Sequence, residues 1–396
     1  MLHHLVRLSI LLTLVTLLAC SPPQDKTAVR IALFNIWELS TTKLSDTDSA
    51  GCGRNDQLLA AAEIIHRVRP DVLVLNEIDH DIDALAHGAD LTLTARRFQE
   101  RYLDRGANPI HYEHVFAAPC NIGFLTGMDL DNNGLVATPE HAGTRDHGGD
   151  CYGYGAYPGQ YSMAVLSRYP LVRDSVRTFQ KFLWKDLPDN RIPSDWYSEN
   201  ELEIFRLSSK SHWDVPLRLP GGTVHLLLSH PTPPVFDGPE DRNGRRNYDE
   251  LRMWVHYLKD DEVMVDDAGM RGGLGGDQSF IVAGDLNAAS TGDTLADGRR
   301  SIDQLLNHPR VRDTGPWLKS DGALMGAAPG PPDHPERRTV GWRGRGMRID
   351  YLLPSRDLEI VDGGVFWPDS TRDPVGAALA HKASDHRMIW LDVRLR

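Results

Sequence analysis

The sequence predicts a layered α/β protein built as one domain, and three observations predict it. Apolar runs of strand length recur along the chain, and most end in a polar or charged residue. A helically spaced segment separates the first two. No internal repeat or interdomain linker breaks the series. With 41% hydrophobic and 25% charged residues over 396 positions, the chain can bury a large core.

The first segment stands apart from the domain. Arg7 precedes an apolar stretch, Leu8 to Leu18, too short to remain as a spanning helix, and Leu17-Leu18-Ala19-Cys20 follows. That ending resembles a bacterial lipoprotein signal, in which Cys20 is lipidated and becomes the mature N-terminus. Ser21 after it implies, in a Gram-negative cell, passage to the outer membrane. A plain secretory signal is the alternative. Residues 21–28 (SPPQDKTA) read as a tether, and 29–396 as the domain. No other segment is long and apolar enough to cross a bilayer. The expected location is the cell envelope, held by the lipid anchor.

The domain opens with Val29 to Asn35 (VRIALFN), a strand ending in a carboxamide. Gln57 to Arg69 carries apolar residues at 58, 61, 62, 65 and 68, a helical spacing that Pro70 stops. Asp71 to Glu77 (DVLVLNE) is a continuous apolar strand of the kind covered on both faces. His225 to His230 (HLLLSH), Phe280 to Asp285 (FIVAGD) and Met347 to Leu353 (MRIDYLL) repeat the pattern, and Met388 to Val393 follows Ser384-Asp385-His386. In FIVAGDLN, Asp285 and Asn287 are two positions apart, so an extended backbone points both the same way. Sheet ends are where layered α/β proteins build sites.

Charge and cysteine usage narrow the function classes. Lys+Arg total 43 against 55 Asp+Glu, a net charge of −12, which does not suit non-specific duplex binding. Arginines do cluster locally, at 337, 338, 343, 345 and 348. Cys52, Cys120 and Cys151 remain besides Cys20, and a Cys120–Cys151 disulfide bracketing an insertion is expected in an exported protein.

Taken in order, LFN (Asn35), VLNE (Glu77), the strand-ending His230, GDLN (Asp285, Asn287), RIDY (Asp350) and SDH (Ser384, Asp385, His386) resemble the endonuclease/exonuclease/phosphatase superfamily. Tyr161 to Leu171 (YSMAVLSRYPL) is similar to its mid-chain strand and turn, with Tyr161 assigned no catalytic role. The resemblance spans residues 29–396. It implies a four-layer α/β sandwich, two packed mixed sheets flanked by helices; the stretch 120–151 between the two cysteines reads as a loop inserted in that single domain.

The chemistry of these residue types agrees. Cleaving a phosphate ester needs charge neutralisation, an activated water and a stabilised leaving oxygen. Carboxylate and carboxamide oxygens suit Mg²⁺ or Mn²⁺, and no Cys/His set of zinc spacing is present. Glu77 is the expected principal metal ligand, with Asp385 and Asn35 beside it. Asp285 is expected to orient or deprotonate water and Asn287 to donate to a non-bridging oxygen. His386, fixed by Asp350, is expected at the scissile phosphate, and His230 as a second donor.

A second metal is suggested by Asp129-Leu-Asp131-Asn-Asn133-Gly-Leu135, which with Glu140 matches D-x-[DN]-x-[DN]-G-x5-E. Side chains of Asp129, Asp131, Asn133 and Glu140 and the Leu135 carbonyl are the expected calcium ligands, in a loop without EF-hand helices. His230 to Glu250 is more polar than a connecting loop needs. Asp237, Asp241, Arg242, Asn243, Arg245 and Arg246 there, with Ser208 to Asp214, are candidates for shaping a pocket.

These readings predict an exported, monomeric, metal-dependent hydrolase, a phosphodiesterase or phosphatase acting on small molecules or lipid headgroups. An extracellular nuclease scavenging phosphate is the alternative. A calcium-dependent surface binding module on an inactive scaffold is the alternative of a different class.

Overall fold

A computed structural model describes residues 27–81, 90–291, 295, 297–325, 334–342 and 345–396. The signal segment, Cys20, most of the tether and Arg343 lie outside the described residues. The first sheet holds β1 (Val29–Leu39), β2 (Val72–Ile78), β3 (His114–Phe116), β4 (Ser162–Ser167), β12 (Glu359–Val365) and β13 (Ile389–Arg394), in the order β12-β13-β1-β2-β4-β3. The second holds β5 (Arg177–Thr178), β6 (His212–Leu219), β7 (Gly222–Ser229), β8 (Ser279–Asp285) and β11 (Asp350–Pro354), in the order β11-β8-β7-β6-β5. Pairs β1–β2 and β7–β8 are parallel and the rest antiparallel, so both sheets are mixed.

Alternation along each strand makes the layers. In β1 and β2, Ile31, Leu33, Val72 and Val74 face Val215, Leu226, Ile281 and Leu352 of the second sheet. The intervening Ala32, Phe34, Leu73 and Leu75 pack outward on helix α1 (Asp56–Val68), through Leu58, Ala61 and Ile65. On the far side Leu227, Val282 and Leu353 pack on helix α2 (Arg242–Leu258), through Leu251 and Trp254. The result is helix, sheet, sheet, helix, as the resemblance implied. Each fully buried aliphatic side chain contributes roughly 1.5–3 kcal/mol, so the seam between the sheets fixes their strand ends firmly.

Local signals act as expected in α1. The Asn55 side chain accepts from the backbone N–H groups of Gln57 and Leu58, and Arg69 closes the helix in the left-handed conformation before Pro70. Elsewhere the structure differs from the sequence-based expectation. Met347 to Leu353 is not one strand: Met347 ends the hairpin of β9 (Val340–Trp342) and β10 (Arg345–Met347), and β11 begins at Asp350. The break occurs because Arg348 is buried against Asp313, at 2.8 Å, while Thr339 Oγ1 accepts from the N–H groups of Ile349 and Asp350. Strands β6 and β12 carried no continuous apolar run; Pro216 interrupts one, and Asp362-Gly363-Gly364 the other.

The expected disulfide is corrected. Cys52, Cys120 and Cys151 are free thiols. Cys120 donates to Ala118 O at 3.7 Å and Cys151 to His147 O at 3.0 Å, so each buried thiol is oriented by its own backbone neighbourhood rather than by the other. The polar stretch 230–250 is half helix, because α2 starts at Arg242. Asp237 accepts from the N–H groups of Asn243 and Gly244, and Arg246 donates to carbonyls of Leu207, Tyr152 and Arg206. These bonds tie the loop and α2 to the neighbouring loops at Tyr152 and Arg206–Leu207.

Candidate active site

Strand ends from both sheets converge at one point. The antiparallel β8–β11 register places Asp350 opposite Asp285. Asn76 Oδ1, at the end of β2, accepts from the backbone N–H of Asp285 at 2.8 Å, and so joins the two sheets. Asn35 Nδ2 donates to Glu77 Oε1 and to Asp285 Oδ2, both at 3.0 Å. Ser384, just after helix α3 (Pro374–Ala383), donates from Oγ to Asn35 O at 2.8 Å and accepts the His386 N–H at 3.0 Å.

Two of the residues sit on unusual backbone. Glu77 has φ 61°, where the β2–β4 register shifts between Asn76 and Ile78. Such a bulge re-aims a side chain that a regular strand would send elsewhere. Asn287 has φ 48° just past β8; its N–H meets Asp285 Oδ1 at 3.0 Å and its carboxamide donates to Pro231 O at 3.1 Å. Left-handed backbone costs a non-glycine residue about 1–3 kcal/mol and concentrates at functional sites.

Asp285 is the hub of the charges. His230 Nε2 lies 3.4 Å and His386 Nε2 3.6 Å from its Oδ2, while His386 Nδ1 faces Asp350 Oδ2 at 2.9 Å. Burial disfavours the His386 cation, but Asp350 and Asp285 outweigh it and raise its pKa to about 10. Burial also works against ionised Asp285, yet His386 and His230 hold its carboxyl well below the usual range. Glu77 is pushed up to about 7, chiefly by burial, against the pull of His386 and the Asn35 amide. His230 falls to about 4, through burial and the neighbouring Lys210. The centre thus pairs a cationic imidazole with an ionised carboxylate, and holds one carboxylate short of compensating charge.

Every dispersed residue the sequence singled out lies in or beside this cluster. Ligand atoms of Glu77, His230 and Asp285 lie within 4.8 Å of one another, as do those of Asp285, Asp350 and His386. Asp385, half-exposed, is felt electrostatically by both Glu77 and His386. Sequence reasoning missed Asn76, whose only signal was its place beside Glu77. It also did not single out Lys210 within the stretch Ser208 to Asp214.

The acidic loop departs from its motif at one position. Asp129 and Asp131 are grouped within 4.8 Å with Asp150, not with Glu140. The Glu140 carboxylate instead accepts the Thr138 hydroxyl, in a single 3-10 turn at Pro139–His141. Asp150 is buried and accepts from the N–H groups of Leu130 and Ala137 at 2.8 and 2.7 Å. Asp129 accepts from those of Asn133 and Gly134, and Gly134 has φ 86°.

A family model for the Endonuclease/Exonuclease/phosphatase family matches residues 32–386. The chain belongs to that family. Its members are hydrolases acting on phosphoester bonds and generally depend on a divalent metal. Comparison with curated proteins finds no match. Among solved structures, an endonuclease/exonuclease/phosphatase from Beutenbergia cavernae is similar, with 19% identity, TM-score 0.50, and 93% of this chain and 72% of that one covered. TDP2 from Caenorhabditis elegans is similar at 16% identity and TM-score 0.44, covering 94% and 77%. The human Nocturnin catalytic domain, with bound sulfate, is similar at 13% identity and TM-score 0.46, covering 93% of each. The first of these shares the fold.

Proposed function

We propose that this protein is an exported, lipid-anchored phosphoesterase that uses Mg²⁺ or Mn²⁺ to hydrolyse phosphate mono- or diesters of small molecules or lipid headgroups. The observation that carries this is the convergence of Glu77, Asp285, Asp350 and His386 on one point between the sheets. The donor set fits a hard divalent cation. Glu77, Asp385 and Asn35 offer oxygen ligands, and the half-buried Glu77 carboxylate is a charge that a cation would compensate. When bound, the ion supplies charge neutralisation and an acidified water.

The chain's own groups do the rest. Ionised Asp285 orients the attacking water or takes its proton. His386, kept cationic and fixed by Asp350, donates to the scissile phosphoryl group. Asn287 donates an amide N–H to a non-bridging oxygen, and His230 to the phosphate or leaving oxygen. The acidic surface and the envelope location favour small esters over nucleic acid.

The test is turnover of bis-p-nitrophenyl phosphate, p-nitrophenyl phosphate and plasmid DNA by the form lacking residues 1–20, with Mg²⁺, Mn²⁺ or EDTA. Metal-dependent hydrolysis of either small ester supports the reading. No turnover of any phosphoester rejects it. Nicking of plasmid alone assigns a nuclease, for which Arg337 and Arg338 are suitably placed: Val340 beyond them bridges to His386.

We infer also that Ca²⁺ is held by Asp129, Asp131, Asn133 and the Leu135 carbonyl, with Asp150 in the place the motif gives to Glu140. The ion's role is structural, locking the insertion that precedes β4.

A further inference from the structure

Lys210 is not explained by the packing around it. Its side chain is buried, at 5% exposure, yet among the described residues its ammonium has no hydrogen bond and no ion pair. Burying an ammonium without a partner is costly, so such a residue is retained for something it meets intermittently. Its location says what. β6 and β7 pair His212 with Ser229, which brings Lys210, two residues before β6, to the sheet end where His230 follows β7. Glu77, Asp285 and Glu250 all act electrostatically on the ammonium, which in turn depresses His230. Burial is the largest influence and lowers the lysine's pKa.

The segment is held from two sides, and one of its partners, Glu250, also ties down the loop after β7. Glu250 of α2 accepts the Ser209 N–H at 2.7 Å and the Thr232 N–H at 2.6 Å, and Lys210 O accepts from the Asn121 N–H at 2.8 Å. Glu250 thus spends its oxygens on backbone donors rather than on the lysine. Nearby polar atoms are left over as well: Ser209 Oγ, Thr232 Oγ1 and His230 Nδ1 are buried with no partner. A fixed cation beside the hydrolytic centre, with the unpaired hydroxyls of Ser209 and Thr232 nearby, matches an oxyanion of the substrate.

We propose that Lys210 is a substrate-binding residue whose ammonium receives a non-bridging oxygen of the phosphoryl group, both in the ester and in the phosphate product. This rests on the phosphoesterase reading for the ester, whereas phosphate binding can be measured without turnover. The variant is Lys210→Met, which keeps length and removes charge. Calorimetric titration of inorganic phosphate in Mg²⁺ buffer, thermal melting and bis-p-nitrophenyl phosphate kinetics are compared with the parent.

The expected result is at least tenfold weaker phosphate binding, a similar loss in kcat/KM, and a ligand-free Tm equal to or above the parent's, since an unpaired buried charge has gone. Equal phosphate affinity in both proteins, or no phosphate binding by the parent, overturns the proposal. A Tm several degrees lower in the variant also overturns it, because the lysine is then a structural counter-ion for Glu250. If the parent binds phosphate through Lys210 but hydrolyses no ester, the functional reading fails and this one stands.

Discussion

The hydrolytic centre and the acidic loop at 129–150 are both gatherings of oxygen donors, and they are put together in opposite ways. Asn35, Glu77, Asp285, Asp350 and His386 come from strand ends up to 351 positions apart in the chain and meet because two sheets pack face to face. Asp129, Asp131 and Asn133 lie within five residues and meet because a turn at Gly134 folds them inward. In the first case each side chain is aimed by register, burial and bulges. In the second only the nearest hydrogen-bond partner aims it. Dispersed sites therefore inherit the rigidity of the fold, whereas a contiguous motif is only as dependable as each residue's immediate surroundings.

The sharpest way to break this contrast is to remove one member of the rigid cluster. His386→Ala is expected to lower kcat on bis-p-nitrophenyl phosphate by ~10³-fold or more, since the residue supplies both charge and donor, and to lower Tm as well, because Asp350 and Asp285 lose their buried counter-ion. Near-parent turnover would remove His386 from the chemistry. Asp350→Asn should act more mildly, about 10²-fold, and through pH. Asp350 raises the His386 pKa, so its loss lowers that pKa. The cationic form is then lost as pH rises through neutrality, and activity should fall on the alkaline side well before the parent's does. Parallel pH–rate profiles for the two proteins would show that the pair does not work this way.

That the cluster was legible follows from how the sequence encodes it. A continuous apolar run such as VLVL reads as a covered strand, and the polar residues that close it lie near a sheet end. Repeated at Asn35, His230 and Asp285, the rule locates a site without any knowledge of pairing. Its blind spots are equally physical. Asn76, among the last paired residues of β2, joins the sheets only because β2 and β8 end side by side. Lys210 precedes a strand interrupted by Pro216, so neither β6 nor the sheet end it reaches was visible. In the stretch 237–246, Asp237 satisfies the start of α2 and Arg246 donates to loop carbonyls, roles that charge alone did not announce.

Burial of imidazoles in the second sheet gives a smaller, pH-dependent effect. His212 is buried, with Nε2 2.8 Å from Glu250 O and its ring against Trp254. Burial lowers its pKa to about 4, against an ordinary 6.5. The unfolded chain therefore takes up a proton that the folded one refuses. The stability due to neutral His212 is complete above pH 6.5 and is lost as pH falls towards 4, on the order of 1–2 kcal/mol at pH 5. Melting curves from pH 7.5 to 5 should show the parent losing Tm faster than His212→Gln. Equal slopes would place the acid sensitivity elsewhere.

The loop offers the finest discrimination, since two acidic residues compete for one role. If Asp150 completes the calcium site, Asp150→Asn should abolish the Ca²⁺ heat seen by calorimetry, while Glu140→Ala should leave it intact. At saturating Ca²⁺, about a hundredfold over Kd, binding adds ~2.7 kcal/mol to stability, which is a Tm rise of a few degrees. Asp129→Ala should lose that rise as Asp150→Asn does. The converse pattern, with Glu140→Ala losing the ion and Asp150→Asn retaining it, would mean that the loop rearranges around calcium and that the Thr138 bond to Glu140 gives way. Spacing would then have been the better guide, and the contrast between a fold-aimed and a locally aimed site would disappear.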